Sequence, residues 1–176
     1  MTADELKSKI RNVPDFPIKG IMFRDITTLV NDSAAFKYVI DKLYERYRDK
    51  GIDQIVGIES RGFIFGGALA HRLCCGFVPA RKLGKLPAAT IEESYELEYG
   101  RTSLQLHTDS IKPGQRVVIL DDLLATGGTL RATANMVERL GGEIYEIAVV
   151  IELSFLNGRE KLKNHSFYSM VQYDSE

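Results

Sequence analysis

One short stretch limits the possible folds of this chain more than any other. Residues 116–122 read Arg-Val-Val-Ile-Leu-Asp-Asp, an unbroken apolar run that ends on two adjacent carboxylates. A strand that is apolar on both faces needs cover on both faces, so it belongs in the interior of a parallel sheet flanked by helices. A half-exposed strand would instead alternate apolar and polar residues. The residues that follow, Leu-Leu-Ala-Thr-Gly-Gly-Thr, lead into a helix predicted to run to Leu140 and to stop at Gly141-Gly142. A buried strand, a glycine turn and a helix form the repeating unit of an α/β sheet.

The rest of the chain repeats that alternation. Residues 3–11 suit a short helix, and Pro14, Pro17 and Gly20 punctuate an irregular segment after it. A helix is predicted from about Ser33 to Lys50, with Asp32 as its N-cap, Phe36, Val39, Ile40, Leu43 and Tyr47 at helical spacing, and Gly51 as its stop. The apolar run Ile52–Ile58 reads as a strand entering Gly-Ile-Glu-Ser-Arg-Gly. A helix rich in small residues (Gly66, Gly67, Ala68, Ala70) and a short strand, Gly76–Ala80, come next. Residues 90–108 alternate on both sides of Tyr99-Gly100, with Tyr95, Leu97 and Tyr99 on one face and Leu104 and Leu106 together on the returning arm, which is a hairpin pattern. A buried strand within Glu143–Leu153, a short helix and a last strand near Phe167–Tyr173 complete the chain. The expected fold class is α/β: one domain over residues 1–176, with a central mostly parallel sheet flanked by helices. In such sheets ligands gather at the carboxyl ends of the strands, where the polar motifs of this chain fall.

Composition excludes several functions. The 176 residues carry 23 Lys plus Arg against 24 Asp plus Glu, so the chain lacks the basic excess of a dedicated nucleic-acid binder. No stretch free of charged side chains exceeds 10 residues, as in Gly62–His71, against the roughly 20 a membrane helix needs. The first residues, Met-Thr-Ala-Asp-Glu-Leu-Lys, are polar and of mixed charge, unlike a secretory leader. Cys74 and Cys75 are adjacent and cannot staple distant segments, and no Cys-x-x-Cys spacing occurs. They read as small core residues near a helix end, while His71, His107 and His165 read as structural or exposed. The expectation is a cytoplasmic protein that binds neither nucleic acid nor membrane.

The chemistry concentrates at residues 121–129. A helix start leaves its first N–H groups without intrahelical partners, and the helix dipole favours an anion there. Gly127 and Gly128 permit close approach of backbone to phosphate oxygens, and Thr126 and Thr129 add hydroxyl donors. Asp121 and Asp122, just before this cradle, are suited to accept hydrogen bonds from vicinal sugar hydroxyls. A glycine pair before a helix is weak evidence alone. The stretch is not a P-loop, since no Gly-Lys-Ser/Thr occurs, and it lacks the Gly-x-Gly-x-x-Gly dinucleotide fingerprint.

The complete string Val-Val-Ile-Leu-Asp-Asp-Leu-Leu-Ala-Thr-Gly-Gly-Thr-Leu, 117–130, resembles the 5-phosphoribosyl-1-pyrophosphate (PRPP) motif of type I phosphoribosyltransferases. Further pieces extend the likeness over nearly the whole chain: DFPxxGIxFRDI at 15–26, GIESRGFIFG at 57–66, RKLGKLP at 81–87, YELEYG at 95–100 and ELxxLxGREKL at 152–162 look like adenine phosphoribosyltransferases. The resemblance implies an α/β domain with an N-terminal hood (about 12–32) and a flexible hairpin flap (about 85–108). It implies the conversion of adenine and PRPP to AMP and pyrophosphate with Mg2+, by a homodimer. It leaves open transfer to another purine, or a PRPP-sensing regulator of the same fold. Such a regulator would need an added DNA-binding module or a basic face.

Roles carry over residue by residue. Asp121 and Asp122 match the ribose-binding acids, and Ala125, Thr126, Gly127, Gly128 and Thr129 the 5-phosphate loop. Glu59, Ser60 and Arg61 match the pyrophosphate loop, with a cis Glu59–Ser60 peptide implied. Arg81, Lys82 and Lys85 are expected to neutralise pyrophosphate, within one subunit or across a dimer interface. Met22, Phe23, Arg24 and Leu153 are expected around adenine. Glu98, beside the hairpin turn on the face opposite Tyr95 and Leu97, matches the catalytic glutamate. Magnesium is expected on PRPP and water rather than in a protein cage. This chain has Thr27-Thr28 where the family often has proline, so the likeness does not by itself carry a rigid hood loop over.

Overall fold

The structure is a computed structural model and describes residues 1–97 and 100–175, with backbone alone for Leu97, Gly100 and Arg101. The chain begins with α1 (Ala3–Lys7), whose Thr2 and Glu5 form a reciprocal capping box. Two three-residue strands, β1 (Arg11–Val13) and β2 (Phe23–Asp25), pair antiparallel, and α2 (Thr27–Asn31) follows. These pieces make up the segment expected as a hood. The short strands carry Arg11, Asn12, Arg24 and Asp25, so no apolar alternation announces them. Asp32 caps α3 (Ser33–Tyr47) as expected, its carboxylate accepting from the Ala34 and Ala35 N–H groups at 3.0 Å.

Next come β3 (Gln54–Ile58), α4 (Gly62–Leu73), β4 (Gly76–Lys82), β5 (Thr90–Leu97), β6 (Gly100–His107), β7 (Arg116–Leu124), α5 (Gly128–Arg139), β8 (Glu143–Leu153) and β9 (Phe167–Tyr173). Among the described residues the main sheet has seven strands in the order β5-β6-β4-β3-β7-β8-β9. The pairs among β4, β3, β7, β8 and β9 are parallel, and β5 and β6 join antiparallel. The hairpin is therefore an outward extension of the sheet, attached to β4 through Arg81↔Gln105 and Lys82↔Leu104.

The apolar run is covered on both faces. Val118 and Leu120 enter one core with α3 and α4, whereas Val117 and Ile119 enter the other with α5 and the hairpin's Leu104 and Leu106. Burial of each such side chain stabilises the fold by about 1.5–3 kcal/mol. The small residues expected in α4 have a specific use. A Cβ on Gly57 would meet the Phe77 ring at 2.6 Å, and one on Gly66 would meet it at 2.8 Å, so the ring fills a notch between strand and helix. Cys74 departs from expectation. It ends α4 in the left-handed conformation, φ 54°, and is exposed rather than in the core. Among the described residues no helix is long and apolar enough to cross a membrane.

Candidate active site

Strand β7 runs two residues further than a loop reading of 123–129 suggests, to Leu124, because β8 continues alongside it: Leu123 pairs with Ile151 and Leu124 with Glu152. Its other neighbour stops earlier, with Leu120 as the last residue paired to β3. From Asp121 onward one edge of β7 thus borders an opening. A cavity of about 280 Å³ occupies it, lined by Asp121, Asp122 and Ala125 to Thr129 on one side and by Glu59, Arg61 and Lys82 on the other. These are ten of the residues singled out from the sequence, and the fold brings them together.

The acidic pair is buried. Asp121 is 9% and Asp122 4% exposed. Burial pushes the Asp121 carboxyl well above the ordinary carboxylate range, and the neighbouring Asp122 charge adds to it. Burial also raises Asp122, against the pull of Arg61. Arg61 Nε lies 3.0 Å from Asp122 Oδ2, yet without the alignment of a hydrogen bond, so this buried oxygen has no hydrogen-bond partner among the described residues. One Asp121 oxygen already accepts from the Asp122 N–H at 2.8 Å. That oxygen, ion-paired with Arg61 but accepting no hydrogen bond, keeps the capacity to accept one at the cavity's edge. Gly62 lets α4 start hard against this pair, since a Cβ there would meet Asp121 Oδ1 and the Leu120 carbonyl oxygen at 2.9 Å.

The anion cradle is built from backbone. Gly127, at φ 80°, starts α5, and no side chain caps it. The first N–H groups of a full-length helix are left facing the turn, as a phosphate requires. Across the cavity, the Glu59–Ser60 peptide is cis, in accord with the resemblance. Arg81 Nε donates to Glu59 Oε2 at 2.9 Å, and its Nη1 donates to the Lys85 carbonyl at 3.3 Å, tying the two cationic loops together. Lys82 reaches the cavity, while Ser60 and Lys85 are exposed and Arg81 is engaged with Glu59; these three do not line it.

The four residues expected around the base are not among the cavity's walls. Phe23 lies next door, its ring 5.4 Å from the Arg61 guanidinium and edge-on to Phe16. Met22 and Leu153 are half-buried. The Arg24 side chain is turned elsewhere: it donates to Asn12 Oδ1 at 2.6 Å and stacks 4.1 Å over Tyr173. Thr27-Thr28 supplies stiffness by hydrogen bonds. The Thr27 N–H and hydroxyl donate to Asp25 at 2.9 and 2.8 Å, and the Thr28 hydroxyl donates to the Lys9 carbonyl at 2.7 Å. The Thr27 N–H holds the Asp25 carboxyl below its ordinary range. Glu98 lies outside the described residues.

Two contributors escaped sequence reasoning. Tyr95 lines the cavity and lies on Gly128, where a Cβ would meet Tyr95 Cδ2 at 3.1 Å. Gly158 backs the anion cradle from outside. Both fall within family-like stretches, YELEYG and ELxxLxGREKL, but nothing local assigns either a place at the cavity.

Comparison with known proteins agrees with this geometry. The family model of the phosphoribosyl transferase domain matches residues 25–175. A Chloroflexus aurantiacus adenine phosphoribosyltransferase is 56% identical over 173 residues, 98% of this chain and 100% of its own. The chain belongs to the adenine phosphoribosyltransferase family. An adenine phosphoribosyltransferase structure from Thermoanaerobacter pseudethanolicus superposes with a TM-score of 0.94 at 51% identity, covering 98% of this chain and 100% of that one. The Saccharomyces cerevisiae adenine phosphoribosyltransferase, solved with adenine and an imino-altritol bisphosphate, superposes with a TM-score of 0.90 at 41% identity, covering 96% and 97%.

Proposed function

We propose that this chain is an enzyme that joins adenine to the ribosyl carbon of PRPP, releasing pyrophosphate and forming AMP in purine salvage. The observation that carries this reading is the cavity in which an unpartnered Asp122 oxygen, an uncapped helix start and the Arg61 and Lys82 cations face one another. As pyrophosphate leaves, carbon 1 of the ribose gains positive character, so the site must hold the sugar and neutralise the leaving group together.

Asp121 and Asp122 hold the ribose hydroxyls. The N–H groups of Ala125 to Thr129, with the Thr126 and Thr129 hydroxyls, hold the 5-phosphate. Glu59, Ser60 and Arg61, with Arg81 and Lys82, form the pyrophosphate end. Met22, Phe23, Arg24 and Leu153 surround the base, Arg24 through its backbone because its guanidinium is committed to Asn12 and Tyr173. Glu98 moves a proton at the purine ring. Magnesium would be held by PRPP oxygens and water near Asp121 and Asp122, and when bound it adds positive charge to the leaving diphosphate. Lys85, which is exposed, would reach pyrophosphate in its own subunit or in a second copy of a homodimer. A cytoplasmic location accords with these small phosphorylated substrates.

The test is a panel of adenine, hypoxanthine, guanine and xanthine, each with PRPP and magnesium, with nucleotide product followed by chromatography. AMP from adenine with at least a hundredfold lower turnover of the other bases is expected. Preference for another purine would reassign the substrate, and PRPP binding without any turnover would favour the regulator.

A further inference from the structure

We infer that Gly158, in the otherwise unassigned stretch Asn-Gly-Arg-Glu-Lys-Leu, is a positioning residue that sets the direction of the 5-phosphate loop. The inference rests on the function proposed above. Gly158 opens a 3-10 turn, Gly158–Leu162, and is buried directly against the loop. The contact is backbone on backbone in both directions. A Cβ on Gly127 would meet the Gly158 carbonyl oxygen at 2.5 Å, and a Cβ on Gly158 would run into the Ala125 carbonyl oxygen and meet Leu124 Cδ1 at 2.8 Å.

The affected group is the Ala125–Thr126 peptide. A peptide unit is planar, so its C=O and N–H turn as one body. Any side chain at 158 pushes the Ala125 carbonyl, and the Thr126 N–H turns with it. That N–H is among the donors offered to the phosphate, for which a small misdirection is costly.

The sheet anchors this buttress. Arg159 donates to both Glu152 oxygens, from Nε at 2.5 Å and Nη2 at 2.6 Å, and Ser169 Oγ donates to Glu152 at 2.7 Å. The Glu152 side chain is 3% exposed, and the Arg159 guanidinium lies 4.7 Å from the Phe167 ring centre. Gly158 is therefore pinned to β8 through the side chain of its neighbour and cannot recede to admit a Cβ.

Gly158→Ala should bind ribose 5-phosphate roughly tenfold more weakly by calorimetry and raise the PRPP KM by a similar factor. The adenine KM at saturating PRPP should stay within twofold, and the melting temperature within about 5 °C. Ribose 5-phosphate affinity within twofold of the natural protein, or equal losses for adenine and PRPP, would overturn the inference. If Gly158→Ala does not fold, Arg159→Lys, which loses the two-pronged contact with Glu152, should weaken ribose 5-phosphate binding about threefold; unchanged affinity there overturns it. Absence of AMP synthesis by the natural protein would sink the proposed function alone, because the ribose 5-phosphate comparison needs no turnover.

Discussion

The anion cradle and the hairpin meet where Tyr95 lies on Gly128, yet they are held by opposite means. The cradle is fixed by backbone: β7 stays in register with β8 to Leu124, and Gly127 and Gly158 touch with no side chain between them. The hairpin has only two residue pairs to β4; Leu104 and Leu106 of its returning arm are anchored in the core, while its outer arm also relies on side chains near the surface. Glu93 accepts from Asn135 Nδ2 at 2.9 Å and pairs with Arg139 Nη1 at 3.1 Å, with Arg139 half exposed. Surface pairs of this kind contribute about 0–1 kcal/mol each, whereas backbone packing yields only when the core does. On the proposed function, the part that presents donors to the phosphate is fixed by backbone, and the outer arm of the hairpin, β5, is held to α5 partly by surface ties.

The largest test separates the two chemically. If the proposed function holds, with Glu98 serving the chemistry and the cradle the binding, Glu98→Gln is expected to lower kcat by about 100-fold or more while leaving PRPP affinity within threefold. Steady-state kinetics with parallel calorimetry decide it, and natural kcat would remove Glu98 from the mechanism.

A second test sets stability against function within the cradle. Burial, then the Asp122 charge, raises the folded pKa of Asp121. The folded protein therefore holds a proton that the unfolded chain releases. Its stability falls as pH rises from the ordinary carboxylate range near 4 through the raised value. Asp121→Asn removes that dependence. It should stabilise the unliganded protein by about 1 kcal/mol at pH 7.5, with a smaller gain at pH 5, while raising the PRPP KM at least tenfold. Calorimetric melting at both pH values checks the sign, and a lower melting point at pH 7.5 would contradict it.

The smallest effect probes the weak ties. Glu93→Ala should lower kcat/KM only about threefold, and should speed hydrogen exchange in residues 90–96 and 102–107 but not in 117–130. Equal acceleration in both regions would erase the contrast.

Legibility in the sequence follows the same division. The strand–turn–helix at 116–139 is readable because local apolar pattern, glycine placement and tertiary burial all agree there. The Asp32 cap is readable for the same reason. The paired strands at 11–13 and 23–25 are not, because three polar-bearing residues have no period. The extension of β7 through Leu124 depends on where β3 and β8 stop, which is information held by other segments. The exposure of Cys74 is not legible either, because burial of a helix end depends on what lies beyond it. The direction of the Arg24 guanidinium is not legible locally, because its partner Tyr173 stands almost 150 positions away in the chain.

The notch that holds Phe77 also constrains how this sequence can change over time. A Cβ at Gly57 or Gly66 would crowd the same aromatic ring, so alanine at either position requires the Phe77 ring to shift or shrink. A substitution at any one of these three positions, far apart in the chain, therefore alters what the other two can accept.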